Sequence, residues 1–189
     1  MQPTTDVEFK TLLTKDEYKR LYEKFKQNGT DIQTNHYLDT TRFSLKATDA
    51  SLRVRERQNL ELTLKKKKGY SIQQFTFEIT KEQFEEIKTT GILPECEIAH
   101  EVKNIIGEQK INNFMSLSTE RMVFPYSKGY LFIDKSHYLG VVDFELQYVA
   151  KNYHNGKQEF IGIINELGIQ YKKAEKKIKR AYNQLRRMM

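Results

Sequence analysis

Long stretches of this chain alternate apolar residues with charged residues, and this alternation restricts its fold more than any other feature. Successive side chains of a β-strand point to opposite faces, so a period of two residues predicts strands with one apolar and one polar face. Residues 52–55 read Leu-Arg-Val-Arg, and residues 60–65 read Leu-Glu-Leu-Thr-Leu-Lys. Strands are predicted at about residues 4–13, 32–39, 50–58, 60–68, 71–79, 114–125, 130–137 and 140–150.

A smaller number of helices is predicted between and after these strands. Thr14 with Glu17, and Thr80 with Gln83, have the spacing of capping boxes, and an apolar stripe of helical period follows each. A third helix is predicted at about 153–167, and a basic helix that packs on the body at about 172–188. The sequence therefore predicts a single α+β domain over residues 1–189, with a mostly antiparallel sheet.

Several classes of protein are excluded by the composition. One cysteine, Cys96, permits neither an internal disulfide nor a thiolate zinc cluster, and the four histidines lack metal-ligand spacing. The first residues have no basic and apolar leader pattern, and no apolar run approaches the length of a membrane span. The expectation is a cytoplasmic protein that does not enter a membrane.

The basic charge of the chain is concentrated at its C-terminal end. Of 32 basic and 25 acidic residues, eight and one respectively lie in 172–189, so the other residues carry 24 of each sign. The net charge of +7 would ordinarily suggest a nucleic-acid partner, but it belongs to this one terminal element while the rest of the chain is balanced. This distribution argues against nucleic acid as the partner.

The charged strand faces have two interpretations. An open sheet could expose them to water. However, Arg53, Arg55 and Arg57 lie within about 13 Å on one face and repel each other unless an anion compensates. If the sheet closes into a barrel, the charged faces line its interior, where arginines and lysines suit phosphate oxygens and carboxylates suit Mg²⁺ or Mn²⁺. The second interpretation predicts a site for a metal–polyphosphate complex.

The same residues resemble the motifs of a known family. Asp6-Val7-Glu8-Phe9-Lys10 resembles the E-x-E-x-K signature of the CYTH domain, or triphosphate tunnel metalloenzyme, family. Tyr37-x-Asp39-Thr40, the Leu-Arg-Val-Arg stretch at 52–55 and Leu62-Thr63-Leu64-Lys65 are similar to its later motifs, in the same order. The resemblance spans nearly the whole chain and is greatest to small stand-alone bacterial members. It implies an eight-stranded antiparallel β-barrel, closed into a tunnel with flanking helices.

The resemblance also assigns roles to individual residues. The positions that it implies for a divalent metal, Mg²⁺ or Mn²⁺, are Asp6, Glu8, Glu78, Asp134, Asp143 and Glu145. The positions that it implies for phosphate oxygens are Lys10, Arg53, Arg55, Lys65, Arg121 and Lys177. Among these, Glu145, Asp134 and Lys10 would act at the reacting phosphoryl group, and Lys177 is chosen from several neighbouring lysines.

Two positions depart from the family pattern. Asp6 stands where the family has glutamate, which draws the carboxylate back by one methylene. The late E-x-E motif aligns either with Asp143 and Glu145, which keeps both carboxylates, or with Glu145 and Gln147, which replaces one by an amide. The second alignment would alter metal affinity, metal preference or turnover, up to loss of activity.

Three functions remain open from the sequence. The first is metal-dependent hydrolysis of a linear triphosphate, either inorganic tripolyphosphate or a small organic triphosphate. The second is an adenylyl cyclase that makes cyclic AMP from ATP, and the third is a non-catalytic polyphosphate- or RNA-binding module. The expected partner is a small-molecule triphosphate, and the sequence predicts no particular oligomeric state.

Overall fold

The computed structural model describes residues 7–68 and 71–188, and it has the α+β architecture expected from the sequence. The strands are β1 Val7–Leu13, β2 Asp31–Asp39, β3 Ser51–Glu56, β4 Leu60–Lys68, β5 Ser71–Ile79, β6 Asn112–Tyr126, β7 Gly129–Tyr138 and β8 Val141–Ala150. The helices are α1 Lys15–Phe25, α2 Ser44–Ala47, α3 Lys81–Thr90, α4 Glu97–Ile106, α5 Tyr153–Glu166 and α6 Lys177–Met188.

The eight strands form one antiparallel sheet, which confirms the predicted strand count. Their order is β1-β8-β7-β6-β2-β3-β4-β5, so β1 and β5 are the two ends of the order. Closure of this sheet into a barrel stays a prediction. The chain divides into two compact units, residues 1–32 with 118–189 and residues 33–117, and each is described separately below. The single-domain organisation also stays a prediction.

In the first unit, helices cover the apolar face of the strands. Leu21 of α1, Ile133 of β7, Leu146 of β8 and Phe160 of α5 belong to one buried cluster. Burial of this apolar surface is the main stabilising contribution, at about 25 cal/mol per Å². The residues of β7 and β8 that alternate with this cluster point away from α1 and α5.

In the second unit, the same arrangement is built from different elements. Leu52 and Val54 of β3 and Leu62 of β4 are buried in a cluster with Ile87 of α3 and Ile98 of α4. Charged residues at the alternate positions of β3 therefore occupy the opposite face of the strand.

Both predicted capping boxes are confirmed. The Thr14 hydroxyl accepts a hydrogen bond from the Glu17 backbone N–H, and the Glu17 carboxylate accepts one from the Thr14 backbone N–H. Thr80 and Gln83 make the corresponding reciprocal pair at the start of α3. These bonds satisfy backbone donors that the first turn of a helix would otherwise leave without partners.

The structure corrects the prediction for the C-terminal helix. The helix was expected from about residue 172, but α6 begins at Lys177. The preceding residues instead pair with the edge of β1: the Leu12 N–H donates to the Lys172 carbonyl at 3.0 Å, and Thr11 forms a β-bridge with Lys173. Because β1 satisfies these backbone groups, the segment stays extended until it has passed the strand.

Helix α4 was not predicted at all. Its apolar residues Ile98, Val102 and Ile106 recur every four residues, which is a helical signal. The side chain of its N-cap, Cys96, makes no capping hydrogen bond, so the usual sequence marker of a helix start is missing. None of the described helices is both long and apolar enough to cross a membrane.

Candidate functional site

Three charged residues of the first unit lie side by side across neighbouring strands. The registers place Arg121 of β6 opposite Asp134 of β7, and Asp134 opposite Glu145 of β8. Arg121 donates to both carboxylate oxygens of Asp134, from Nε to Oδ1 at 2.7 Å and from Nη2 to Oδ2 at 2.7 Å. The Asp134 side chain is fully buried and that of Glu145 is 2% exposed. Such buried carboxylates require cationic partners.

Helix α6 supplies further cations to the same carboxylates. Lys177 Nζ forms an ion pair with Asp134 Oδ2 and lies 4.0 Å from Glu145 Oε1. One turn later, Arg180 donates from Nη1 to Glu145 Oε2 at 2.7 Å and from Nε to Asp143 Oδ2 at 2.8 Å. Residues three apart lie on the same side of a helix, so one face of α6 makes all of these contacts.

The pKa values follow from these contacts. Burial raises the pKa of Asp134, but the hydrogen bonds and charges of Arg121 and Lys177 outweigh it and hold that pKa below its ordinary value. Burial lowers the pKa of Arg180, but the carboxylates of Asp143 and Glu145 raise it overall. Asp134 and Arg180 are therefore both charged at neutral pH.

Asp143 also accepts a hydrogen bond from Tyr138, whose hydroxyl oxygen lies 2.6 Å from Oδ2. Burial, followed by this carboxylate, raises the pKa of Tyr138 to about 12. Tyr138 is therefore a neutral donor that fixes the orientation of Asp143 at all ordinary pH values.

The predicted residues of β1 border this network. Lys10 is opposite Gln147 of β8, and its side chain is 23% exposed. Glu8 is more exposed, and its carboxylate lies 3.9 Å from the Lys10 ammonium group. Asp6, the first residue of the predicted signature, lies outside the described residues. The residues of the late E-x-E motif therefore have different neighbours. Gln147 lies beside Lys10, whereas Asp143 and Glu145 both form ion pairs with Arg180.

In the second unit, two arginines lie next to each other on the charged face of β3. Arg53 is opposite Tyr37 of β2 and Thr63 of β4, and Arg55 is opposite Asn35 and Glu61. Arg55 is 3.9 Å from the Glu61 carboxylate, too far for a hydrogen bond. Within the part of the chain that the structure describes, the buried Nε atoms of both arginines lack hydrogen-bond partners.

The charge of this pair of arginines is only partly compensated, by the Glu61 carboxylate. Burial, and then the charge of Arg55, lower the pKa of Arg53, while its hydrogen bond to Tyr37 acts in the opposite direction. A half-buried guanidinium with an unused donor is costly unless an anion completes its contacts. The face of β3 is therefore suited to oxyanions.

The other predicted residues of this unit lie on the adjacent strands. Lys65 of β4 is half-buried, opposite Ser51 and Gln74. Glu78 of β5 is exposed and lies opposite Glu61. Lys65 and Glu78 thus lie on β4 and β5, the two strands that follow β3 in the sheet.

Asp39, in the Tyr37-x-Asp39-Thr40 motif, makes hydrogen bonds that stabilise the local fold. Its carboxylate accepts hydrogen bonds from the backbone N–H groups of Thr40, Leu45 and Lys46 at 2.7–3.0 Å, and it is 2% exposed. These contacts anchor α2 to the end of β2. Within the motif, only Tyr37 is adjacent to the arginines.

The carboxylates of the first unit have the right chemistry for a divalent ion but are not arranged around one. Asp134, Asp143 and Glu145 supply the hard oxygen donors that Mg²⁺ and Mn²⁺ prefer. Across residues 7–68 and 71–188, however, no three His, Cys, Asp or Glu side chains are grouped as metal ligands. Their oxygens contact cationic side chains, so a metal ion would have to replace at least one of those contacts.

Sequence reasoning missed Arg180, which makes more contacts to the carboxylates than any predicted lysine of α6. The available signal was its spacing of three residues from Lys177, next to the apolar position Ala181, which is buried. The role of Tyr37 beside Arg53 was also missed, although its motif was recognised.

Comparisons with known proteins show which family the chain is similar to. The CYTH domain model matches residues 5–182. A Bacillus subtilis protein, YjbK, named as a candidate triphosphatase, is 30% identical over 99% of both chains. A crystal structure of a candidate adenylate cyclase from Bacillus halodurans is 27% identical, with a TM-score of 0.73 over 93% of this chain and 96% of that one.

A plant protein has the same fold at lower identity. HpAC1 from Hippeastrum, described as having a dominant triphosphatase activity, superposes with a TM-score of 0.74 at 18% identity, over 95% of this chain and 96% of that one. Together with the ordered motifs at β1, β2, β3 and β4, the match over residues 5–182 leads to one conclusion. The chain belongs to the CYTH domain family.

Proposed function

We propose that this protein hydrolyses a linear triphosphate inside a closed β-tunnel, with a divalent cation, Mg²⁺ or Mn²⁺. The observation that carries the proposal is the pair of buried Nε donors on Arg53 and Arg55, which lack partners within the described residues. A phosphate chain supplies several anionic oxygens at once, and guanidinium groups bind them through paired donors. The names of YjbK and HpAC1 support the same activity.

The basic residues have the role of holding the phosphate chain. Arg53, Arg55 and Lys65 offer donors in one unit, and Lys10, Arg121 and Lys177 offer donors in the other. Fixed cations of this kind stabilise the charge that develops on a transferring phosphoryl group, and they hold the chain in line for attack by water.

The acidic residues have the role of holding the metal. Asp134, Asp143 and Glu145 would bind it, with Glu8, Glu78 and Asp6 as further carboxylates. When bound, a divalent cation neutralises phosphate charge and lowers the pKa of coordinated water. Asp134 remains ionised for this purpose because Arg121 and Lys177 stabilise its charged form. Release of Lys177 from Asp134 would leave the lysine able to contact phosphate.

Cyclisation of ATP is the second candidate, because the Bacillus halodurans structure is described as a candidate adenylate cyclase. The two reactions give different products. A hydrolase releases inorganic phosphate from a triphosphate, whereas a cyclase releases pyrophosphate and cyclic AMP from ATP alone.

The test is a panel of tripolyphosphate, ATP and thiamine triphosphate, each with Mg²⁺, Mn²⁺ or EDTA. We expect phosphate release that requires the metal and that Arg53→Ala abolishes. Arg57→Ala is the matched control, since Arg57 is exposed and contacts Gln33. The proposal would be refuted if none of the triphosphates is hydrolysed, or if the Arg53 variant and wild type hydrolyse them at equal rates.

A further inference from the structure

A cavity of about 600 Å³ lies in the first unit, between β1, helix α5 and the segment before α6. Its volume is within the range of small-molecule sites. Phe9 of β1 and Phe160 of α5 line it; Phe160 belongs to the buried apolar cluster of this unit, and Phe9 packs against that cluster. The cavity therefore lies on the side of β1 that faces helix α5.

The carboxylates of the candidate site lie on the other side of these strands. Phe9 is opposite Tyr148 in the register of β1 and β8, whereas Lys10 is opposite Gln147. Because side chains alternate along a strand, Glu145 of β8 points to the same face as Gln147 and away from that of Tyr148. The cavity is therefore a separate location from the carboxylates that would hold a metal ion.

The edge of β1 accounts for the presence of Glu8 and Lys10 in the cavity lining. The Leu12 N–H donates to the Lys172 carbonyl and so points away from β8. Backbone N–H groups of a strand point the same way at every second residue, so those of Lys10 and Glu8 are at this edge too. The two residues thus border the cavity along the backbone, while their side chains alternate with that of Phe9.

The wall of the cavity is rich in aromatic rings. Phe9 stacks on Phe160 with ring centroids 5.9 Å apart, and the Tyr153 ring lies 5.6 Å from that of Phe9. Tyr153 and Tyr171 line the cavity although they are 60% and 58% exposed. Large apolar side chains that converge on one cavity and remain exposed are typical of a binding site. Their flat faces suit a planar aromatic ligand, since ring pairs attract each other beyond the effect of buried area.

Helix α5 fixes the position of this wall. A Cβ atom on Gly156 would lie 2.8 Å from the Phe9 ring and 2.7 Å from the Ala150 Cβ. The glycine therefore allows α5 to approach β1 closely enough for Phe9 to stack on Phe160. A ligand would thus meet a surface that the packing of the helix has already ordered.

The charges around the cavity favour an anionic ligand. Lys157 of α5 and Lys173 of the segment before α6 are exposed residues of its lining, and Glu8 is the one acidic residue among the described lining. The Glu8 carboxylate lies 3.9 Å from the Lys10 ammonium group, so these two charges offset each other. Lys157 and Lys173 therefore give the lining an excess of positive charge, which attracts an anion.

We propose that this cavity binds a small planar aromatic anion, with its ring beside Phe9 and Tyr153 and its anionic group towards Lys157 and Lys173. The ring enters the apolar part of the cavity, and the charged group stays at the solvated rim, where it keeps most of its hydration. The inference goes beyond the proposed triphosphatase and does not depend on it.

Three probes of nearly the same shape test the two features of the ligand. They are naphthoate, its neutral amide naphthamide, and decahydronaphthoate, which keeps the charge and loses the aromatic faces. We expect naphthoate to bind, the amide to bind at least about fivefold more weakly and the saturated acid at least about threefold more weakly. Ligand-detected NMR measures the dissociation constants at constant ionic strength.

Single substitutions test the residues of the cavity. Tyr153→Ala should raise the dissociation constant of naphthoate at least about threefold, because it removes a ring that stacks on the ligand. Lys157→Met should weaken the binding of naphthoate by about the same factor and leave that of naphthamide unchanged, since the amide has no charge. Tyr130→Ala and Lys19→Met are the matched controls, because both residues are exposed and lie outside the cavity lining. Melting temperatures establish that all variants fold.

Each outcome decides the inference. Absence of naphthoate binding, or equal binding of naphthoate and either comparison probe, overturns the proposed class of ligand. Equal dissociation constants for wild type and Tyr153→Ala overturn the assignment to this cavity. Tripolyphosphate with Mg²⁺ should leave the dissociation constant of naphthoate unchanged, because the cavity and Glu145 lie on opposite faces of the strands. Competition between the two would place the aromatic anion at the charged face and overturn the inference, whether or not the protein hydrolyses triphosphates.

Discussion

Arg180 donates to both carboxylate oxygens of Asp143, from Nε to Oδ2 at 2.8 Å and from Nη2 to Oδ1 at 3.2 Å. The guanidinium is 11% exposed and the Asp143 side chain 17% exposed. The same arginine reaches Glu145, so a single side chain of α6 connects the last helix to two carboxylates of β8. Helix and strand are thereby held together by charge in addition to apolar contact.

Removal of this arginine is expected to destabilise the metal-free protein. In Arg180→Ala, Asp143 and the buried Glu145 lose their main cationic partner, which costs about 3 kcal/mol. Urea unfolding in EDTA measures this loss, and Mg²⁺ should restore part of it by replacing the missing charge. The control is Arg186→Ala, because Arg186 is exposed and its guanidinium donates a hydrogen bond to Asn183 on the same helix. Equal midpoints for the two variants would contradict the role given to Arg180.

Removal of an arginine from β3 is not expected to destabilise the ligand-free protein, in contrast to removal of Arg180. Arg53→Met removes a half-buried cation that Arg55 repels, so we expect the free energy of unfolding without ligand to stay level or to rise by about 1 kcal/mol. Tripolyphosphate at 100 times its dissociation constant should stabilise wild type by about 2.7 kcal/mol and the variant hardly at all. Thermal unfolding with and without tripolyphosphate checks both statements, with Arg57→Met as the control. If tripolyphosphate stabilises the Arg53 variant as much as it stabilises wild type, Arg53 does not bind phosphate.

The lowered pKa of Asp134 predicts how the free energy of unfolding changes at acid pH. Its pKa in the folded protein lies below the ordinary value of 3.8, so its ion pairs stabilise the fold fully above about pH 4. This contribution is lost as the pH falls through the lowered folded pKa. In urea unfolding from pH 6 to pH 3, the stability difference between wild type and Asp134→Asn should therefore be constant down to about pH 4 and then shrink. If the stability difference between wild type and Asp134→Asn grows as the pH falls, the pKa of Asp134 is not lowered in the folded protein.

Asp39 is expected to be structural despite its place in a family motif. Asp39→Ala leaves three backbone N–H groups without their acceptor and should cost about 2–4 kcal/mol of stability. The matched control is Asp49→Asn, since Asp49 is exposed and asparagine tolerates its positive φ of 56°. At a temperature where the Asp39 variant remains folded, its KM for the triphosphate should equal that of wild type. A raised KM with unchanged stability would instead place Asp39 in the substrate site.

Much of the local structure was predictable because the relevant signals are short-range. The alternation through Leu52-Arg53-Val54-Arg55 predicted a strand and its two faces, and the structure buries the apolar pair while the arginines stay half-buried. The capping boxes at Thr14 and Thr80 predicted two helix starts. Helix α4 was missed because Cys96 provides no capping side chain, although its apolar spacing was visible.

The site was only partly predictable. Asp134 and Arg121 were assigned by the resemblance to the CYTH family. Parity along a strand indicates which residues share a face, as it did for Asp143 and Glu145. It does not indicate how far residues of a separate helix reach. Lys177 contacts a carboxylate 43 positions earlier in the chain, and Arg180 one 37 positions earlier. No local pattern encodes such pairs.

The sequence by itself determined the strands and their charged faces, because each follows from residue order over a few positions, and its ordered motifs along the chain identified the CYTH family. Only the tertiary structure decided that Arg180 and Lys177 neutralise the carboxylates of β7 and β8, while Nε of Arg53 and of Arg55 is left without a partner among the described residues. The physical reason is that the cost of a buried charge depends on what surrounds it in space, and packing brings distant parts of the chain to that point.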